Sequence, residues 1–411
     1  MANTLAQPLI VGGSGSLLTL GNVLTIGSLV ISVLLLLVLL GALIPGIRYL
    51  GEIGTVLESF FSLHLMLAAV VCGLCSYIGF RIGGIGGESI ALLGVALALI
   101  NVIGFCVPLV SFIRKSAIYQ TTISWGRHLA GGFSLGRANA AKAVQFATTP
   151  DGKALFMEIS TPHNFRDEQA LTPVVLIHGG GFVAGTRNEE PAWNRFYTDR
   201  GYVVFDVDYR LATATYHTWD KAAADIAAAI LWIGGHASDY NVDMSKLLLV
   251  GGSAGGALAL QVAYGIADGT LQPYVSGPLP HPKAVVAIFP APDITAIWNT
   301  TNRFLGLRTH SVCEKYVGGS PQDFPQAYAT VDVPHHVSSH SSPTLVIAGQ
   351  HDHVIPYQSQ VQFVDVLAKK GAPHEFISLP FTDHFSLFRP AGLSGQIAFQ
   401  AVGRFLDTYA K

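Results

Sequence analysis

The segment Gly251-Gly252-Ser253-Ala254-Gly255 constrains the fold of this chain more than any other. The apolar run Lys246-Leu247-Leu248-Leu249-Val250 precedes it and reads as a buried strand. Ala257-Leu258-Ala259-Leu260-Gln261-Val262-Ala263 follows and reads as a helix. A serine on a tight strand-to-helix turn holds its hydroxyl above the strand end. Glycines on either side remove the side chains that would collide where helix and strand approach. A plain small-residue turn is the alternative in a chain with 44 glycines. The strand before and the helix after favour an exposed nucleophile, Ser253.

A second glycine-rich stretch lies upstream. His178-Gly179-Gly180-Gly181-Phe182 follows Val174-Val175-Leu176-Ile177, another buried-strand pattern. Three glycines let backbone approach a ligand and aim N–H groups at it. Fixed donors of this kind stabilise negative charge developing on an oxygen. The expected oxyanion hole is therefore the N–H groups of Gly180, Gly181 and Ala254, the last directly after the nucleophile. His178 and Gly179 complete the loop, with His178 expected to shape it by hydrogen bonding.

A nucleophilic serine needs a base, and the base needs an orienting carboxylate. Behind a G-x-S-x-G turn these follow in the order Ser, Asp or Glu, His. Thr344 to Ala348 reads as a strand and runs into Gly349-Gln350-His351-Asp352-His353. Glu375 to Leu379 reads as the last strand and runs into Pro380-Phe381-Thr382-Asp383-His384. Asp352 and His384 thus follow strand ends, as Ser253 does. All three fall on one sheet edge, where open α/β sheets place their sites. Asp383 adjoins His384, but loop neighbours seldom face each other, so it reads as a loop former. His351, His353, His335, His336 and His340 lack a matching carboxylate or cysteine framework for a metal and read as solvated or loop-packing residues. Asp206 and Asp208 end a strand beside Arg210, which suggests a structural Asp–Arg pair.

Further strand candidates lie at 203–205 and 284–288, and helical periodicity covers 221–233, 358–370 and 396–409. Alternation of this kind predicts an α/β domain with a mostly parallel sheet and helices on both faces. About 270 residues suffice for a sizeable core. Residues 300–331 break the rhythm and read as an insert near the pocket. Phe182, Trp193, Trp298 and Phe304 are candidates for lining that pocket, with core packing the alternative for each.

From about Ala143 to its end the chain resembles the α/β-hydrolase superfamily. Within it, it resembles hormone-sensitive-lipase-like esterases and the feruloyl-esterase-like (BD-FAE-like) group. The matching pieces are HGGGF at 178–182, Asp208-Tyr209-Arg210-Leu211-Ala212, GGSAGG at 251–256, Gly318-Gly319-Ser320-Pro321, GQHDHVIP at 349–356, and Asp383-His384. Hormone-sensitive-lipase-like members often carry an acidic residue before the serine; Gly252 stands there instead and leans toward the BD-FAE-like side. The resemblance implies hydrolysis of carboxylic esters with no cofactor and no metal. An amidase or arylformamidase with the same three residues is the alternative enzyme. A membrane sensor or scaffold that only binds a ligand is the alternative from another class.

The first 112 residues are of another kind. Apolar residues make up 50% of the chain and charged residues only 12%, against about 25% charged in ordinary soluble domains. Before Ile113 the only charged side chains are Arg48, Glu52, Glu58, Arg81 and Glu88. Three charge-free runs, 24–44, 60–80 and 90–112, each meet the roughly 20 residues needed to cross a bilayer as a helix. A buried helical hairpin does not require three such runs in succession, and no basic segment precedes the first as in a signal peptide. The expected organisation is transmembrane helices over 1–112, a connector over 113–142 and an α/β-hydrolase domain over 143–411. The connector's Tyr119, Trp125, Arg114, Lys115 and Arg127 suit either a membrane interface or a first helix packed on the domain.

Gly83 to Gly87 reads as a tight turn between the second and third runs, Asn101 as a helix–helix contact and Pro108 as a kink. His64 reads as interfacial. Cys72, Cys75 and Cys106 read as small buried hydrophobes, which leaves Cys313 alone in the hydrolase part. Arg48, Arg114, Lys115 and Arg127 on one side against Arg81 on the other place the hydrolase in the cytoplasm by the positive-inside bias. The expected partners are a small-molecule or lipid ester and the lipid bilayer. A net charge of −2 gives no footprint for nucleic acid.

Overall fold

A computed structural model describes residues 19–83, 85, 87–133, 142–162, 170–300, 303–305 and 307–410. Three long helices come first: α1 (Leu20–Leu43), α2 (Leu50–Arg81) and α3 (Gly87–Ile118). Each is long and apolar enough to cross a membrane. They pack through small residues, because only these let helix backbones approach closely. A Cβ on Gly54 would meet the Val38 carbonyl and the Ala42 amide of α1, and one on Gly41 would strike the Leu50 carbonyl. Asn101 of α3 donates from Nδ2 to the Ser32 carbonyl at 2.8 Å, the helix–helix contact expected of it. Outward faces carry exposed Leu34, Val71, Leu74, Leu99 and Ile103.

The helices outrun the charge-free runs. Pro108 lies inside α3, and the non-helical backbone occurs instead in α2 at Phe61 (φ −129°, ψ 20°). Before that break α2 buries Glu52, Thr55, Glu58 and Ser59, polar residues that a search for charge-free stretches leaves out. The boundary expected after Phe112 falls inside α3, and Phe112 is fully buried in a cluster with Leu345, Ile347 and Phe405 of the following domain. Of the Gly83–Gly87 turn, Gly84 and Gly86 lie outside the described residues; Gly83 and Gly87 have positive φ, which suits a tight turn.

The connector carries α4 (Trp125–Ala130), and it packs on the domain. Gln396 accepts from the Ser124 amide at 2.8 Å, and Gln400 accepts from the Thr122 amide at 2.9 Å. Tyr119 bridges both backbone groups of Ser378.

The domain then runs β1 (Lys142–Thr148), β2 (Ala154–Ser160), β3 (Pro173–Ile177), α5 (Pro191–Thr198), β4 (Val203–Val207), α6 (Ala222–Gly235), β5 (Leu248–Gly252), α7 (Ala254–Asp268), β6 (Ala284–Ile288) and α8 (Ile294–Asn299). It continues with β7 (Arg303–Phe304), β8 (Leu307–Arg308), α9 (His310–Val317), α10 (Pro325–Val331), β9 (Thr344–Gly349), α11 (Tyr357–Lys370), β10 (His374–Leu379) and α12 (Leu393–Tyr409). Eight strands form one sheet in the order β1-β2-β4-β3-β5-β6-β9-β10, while β7 and β8 pair separately as a hairpin. β1 and β2 join antiparallel; the six others are parallel. This is the α/β-hydrolase architecture.

The central strands are buried on both faces, which is why they read as unbroken apolar runs. Successive side chains alternate between faces. Val175 and Ile177 pack with α6 and α7, while Val174 and Leu176 pack with α5 and α12. The sheet thereby brings the C-terminal ends of β3, β5, β9 and β10 to one edge.

Candidate active site

Ser253 stands between β5 and α7 with φ 56° and ψ −121°, a conformation that non-glycine residues seldom adopt. Its amide donates to the Ile288 carbonyl at 2.8 Å, which fixes the turn to β6. The neighbouring glycines are required by contact. A Cβ on Gly255 would overlap the carbonyls of Ile177 and His178, and one on Gly251 would overlap the Gly255 carbonyl. A turn this tight leaves the Ser253 hydroxyl nowhere to point but out over the sheet edge.

His384, in the turn after β10, meets it there. His384 Nε2 lies 2.9 Å from Ser253 Oγ, and its Nδ1 lies 2.8 Å from Asp352 Oδ2. A carboxylate only accepts, so Nδ1 carries the proton and Nε2 is left to accept from the serine. Asp352, after β9, is held by the Val354 and Ile355 amides, each 2.8 Å from Oδ1. Burial alone would lower the His384 pKa. The Asp352 charge, with a smaller contribution from Asp383, outweighs it and raises the imidazole above its ordinary value.

The loop after β3 closes the site from the other side. Gly180 (φ 106°) and Gly181 (φ 60°) take backbone shapes that favour glycine. Gly180, Gly181 and Ala254 line one cavity together with Ser253. None of the turn and loop hydrogen bonds among the described residues engages these three amides. His178 is buried, its pKa is lowered by that burial, and its Nδ1 lies 2.8 Å from the Gly179 carbonyl. Tyr209 stacks on the His178 ring at 4.4 Å and donates from its hydroxyl to the His178 carbonyl at 3.0 Å. The loop therefore rests on a tyrosine from the Asp208-Tyr209-Arg210 stretch, whose part in the site the sequence did not disclose.

The cavity holds about 400 Å³ and is mostly apolar. Phe182 and Trp193 line it, as do Phe289 and Leu387. Trp298, expected there, does not line the cavity; its ring lies tilted against His310 with centroids 3.7 Å apart, and it packs against the core. Phe304 lies in β7, and its side chain is outside what the structure describes. The insert does reach the pocket, through Thr309, Val312 and Lys315. Sequence reasoning passed over Glu190, which precedes α5 and also lines the cavity. A Cβ on Gly252 would sit 3.9 Å from Glu190 Oε1. A carboxyl from another element thus occupies the neighbourhood of the missing pre-serine acid. Burial, then the charge of Glu189, pushes it up to about 7.

Asp383 is more than a loop former. Its carboxylate faces His353 Nδ1 and accepts from its neighbour's amide, His384 N, at 2.6 Å, while the His384 ring turns to Asp352. His353 Nε2 lies 2.9 Å from the Pro45 carbonyl, in the turn between α1 and α2. Other expected pairings also shift partner. Asp208 pairs with Arg187, Asp206 accepts from the Asn188 amide, and Arg210 pairs with Asp225 at 2.7 Å. His336 meets Asp268, and His351 packs edge-on against Phe381. Among the described residues no His, Cys, Asp or Glu group suits a metal ion.

Comparison with known proteins bears on the fold and the family. The chain is 26% identical over 222 residues to a probable carboxylic ester hydrolase, LipM, of Mycobacterium tuberculosis, covering 53% of this chain and 50% of that protein. It is 26% identical over 255 residues to lipase 2 of a Moraxella species, covering 54% and 58%. The chain thus spans little more than half the length of these relatives. In structure it resembles the apo form of Thermogutta terrifontis esterase 2 with a TM-score of 0.54 and 21% identity, over 66% of this chain and 96% of that one, which shows the shared fold. The BD-FAE family model matches residues 157–367, just over half of the sequence and inclusive of the Gly180–Gly181 loop, Ser253 and Asp352, and the chain belongs to the BD-FAE family.

Proposed function

We propose that this protein is a membrane-anchored serine hydrolase of carboxylic esters. The observation that carries the reading is the hydrogen-bond chain from Ser253 through His384 to Asp352, beside the amides of Gly180, Gly181 and Ala254, which donate to no turn or loop carbonyl among the described residues. Ser253 Oγ attacks the ester carbonyl while His384 Nε2 takes its proton. The amides of Gly180, Gly181 and Ala254 receive the negative oxygen of the tetrahedral intermediate. His384 returns the proton to the leaving alcohol, and Asp352 stabilises the imidazolium in between. Water, deprotonated by the same histidine, then releases the acid from Ser253. The esterase and lipase names of the relatives support carboxylic esters as the substrate class.

The anchor is α1, α2 beyond Phe61, and α3. About 20 helical residues cross the roughly 30 Å hydrocarbon core, and each helix supplies them. Arg48, Arg114, Lys115 and Arg127 lie at the hydrolase end and Arg81 at the other, which favours a cytoplasmic domain.

A fluorophosphonate probe, followed by a panel of esters and N-formyl arylamides, tests the reading. Labelling at Ser253 with ester turnover is the expected result. Labelling with turnover of N-formyl arylamides alone would make it an arylformamidase, and no labelling would leave a ligand-binding module.

A further inference from the structure

The rim of the Ser253 cavity is built from elements that are themselves tied to the membrane-length helices. On one side lies the turn after His384, whose Phe385, Leu387 and Phe388 line the cavity. The next residue, Arg389, is buried and donates to the Phe60 carbonyl of α2. On the other side lies the insert, whose Thr309 and Val312 line the cavity. Just before them, the Leu305 amide in the β7–β8 hairpin donates to the Glu52 carboxylate of α2. The His353–Pro45 contact fastens the Asp352 loop to the α1–α2 turn as well.

Apolar side chains remain uncovered at this junction. Leu305 is 58% exposed and Phe388 39% exposed, although Phe388 also lines the cavity. Tyr49, between α1 and α2, and Trp125 and Phe133, which follow α3, are exposed as well. Phe133 packs on Phe60 with ring centroids 4.9 Å apart. Exposed aromatics where long apolar helices end mark the headgroup level of a bilayer. The uncovered rim thus stands where acyl chains begin, and it leads into an apolar cavity of ligand size.

Building on the serine-esterase reading, we infer that the substrates are membrane-resident lipid esters. Their acyl chains pass from the bilayer over Leu305 and Phe388 into the Ser253 cavity without crossing bulk water. Chemistry is unchanged: the bond from acyl carbon to alkoxy oxygen breaks, water supplies the hydroxyl of the acid, and the proton goes to the leaving alcohol.

The test uses the full-length protein reconstituted in phosphatidylcholine vesicles, with dioleoylglycerol in the bilayer as one substrate and p-nitrophenyl acetate in water as the other. Dioleoylglycerol turnover should follow its mole fraction in the membrane when phosphatidylcholine is added at constant bulk amounts. Leu305→Asn places a polar amide on the path outside the cavity, and asparagine tolerates the positive φ (47°) found there. It should slow dioleoylglycerol turnover several-fold while p-nitrophenyl acetate turnover and fluorophosphonate titre stay at wild-type levels. Equal loss on both substrates at full titre, no loss on either, or wild-type turnover of the soluble ester alone would overturn the lipid route while leaving an esterase. Absence of both turnover and fluorophosphonate labelling would instead remove the esterase reading itself.

Discussion

His353 and Asp383 form a second histidine–aspartate pair beside the Ser253 site, one residue removed from Asp352 and His384 respectively. His353 Nε2 faces the Pro45 carbonyl, which only accepts, so that nitrogen carries a proton. The pair must then hold one more proton between Nδ1 and the buried carboxylate. Burial raises the Asp383 pKa, and Asp383 raises that of His353 against the effect of burial on the imidazole, so both shifts keep the proton in place.

The two carboxylates should therefore differ sharply on substitution. Asp352→Asn should lower kcat by about 10⁴, because an amide no longer fixes the proton on Nδ1 of His384. Asp383→Asn should cost no more than about tenfold, since Asp383 reaches His384 through the backbone amide and a smaller electrostatic contribution, while Asp352 alone bonds the imidazole. Steady-state kinetics on a short ester decides the matter. A larger loss for Asp383→Asn would transfer the orienting role to it.

The pH profile follows from His384. In the proposed mechanism this base works only when neutral, and Asp352 holds its pKa above the ordinary value against the opposing effect of burial. Activity should rise with pH through that elevated pKa, so the acid limb of kcat/KM should lie above the titration of a free histidine. In Asp352→Asn the residual activity should show this limb displaced to lower pH. A limb unmoved by the substitution would separate it from His384.

Ser253, Asp352 and His384 were legible because each follows a strand, and a strand end is visible as an apolar run that stops. Glu190 was not. It reaches the cavity because the loop from β3 crosses to α5 beneath Gly252, an excursion without periodicity. The His353–Asp383 pair was hidden for a similar reason, since it joins two loops that the sheet, and not the sequence, makes adjacent. Trp298 misled because an aromatic side chain in an insert suits a pocket or a core equally, and His310 claims it. β1 and β2 escaped notice because they bury only one face, so β2 shows alternation and no apolar run. In α2, Glu52 and Glu58 masked a helix that continues past them toward the domain.

Glu190 should set a charge preference. Its carboxyl, pushed up to about 7 by burial, is largely neutral below that pH and charged above it. An anionic acyl group, as in a monosuccinate ester, should therefore be disfavoured increasingly as pH rises through 7 relative to the matching butyrate. Glu190→Gln should abolish this pH-dependent discrimination and leave butyrate turnover within a few-fold. Competition assays at acid and alkaline pH measure it. A ratio that depends on pH equally in both proteins would place the titrating group elsewhere.

Gly255→Ala tests the packing of the serine turn. The new methyl would strike the Ile177 and His178 carbonyls, which are backbone atoms and cannot rotate away. Overpacking of this kind costs about 1–3 kcal/mol, and here it also pushes the β3 loop off Ser253. Thermal unfolding should show a lower midpoint, and fluorophosphonate labelling should slow. Wild-type behaviour in both would mean that helix and strand stand further apart than the structure has them.

Arg389 should hold the domain to the bundle without being needed to hold the chain in the membrane. Its buried guanidinium donates to the carbonyls of Phe60, His128 and Gly131, one from α2, one from α4 and one just after it. Arg389→Ala leaves three acceptors facing a void, and an unsatisfied buried group costs about 1–3 kcal/mol. The helices keep their own packing through Gly41, Gly54 and Asn101, which Arg389 does not touch. Both proteins should remain in the membrane pellet after alkaline carbonate washing. Only the variant should show faster amide hydrogen exchange in 50–60 and in the connector. Release of the wild-type chain into the supernatant would remove the anchor, and unchanged exchange in the variant would show that Arg389 does not carry the docking.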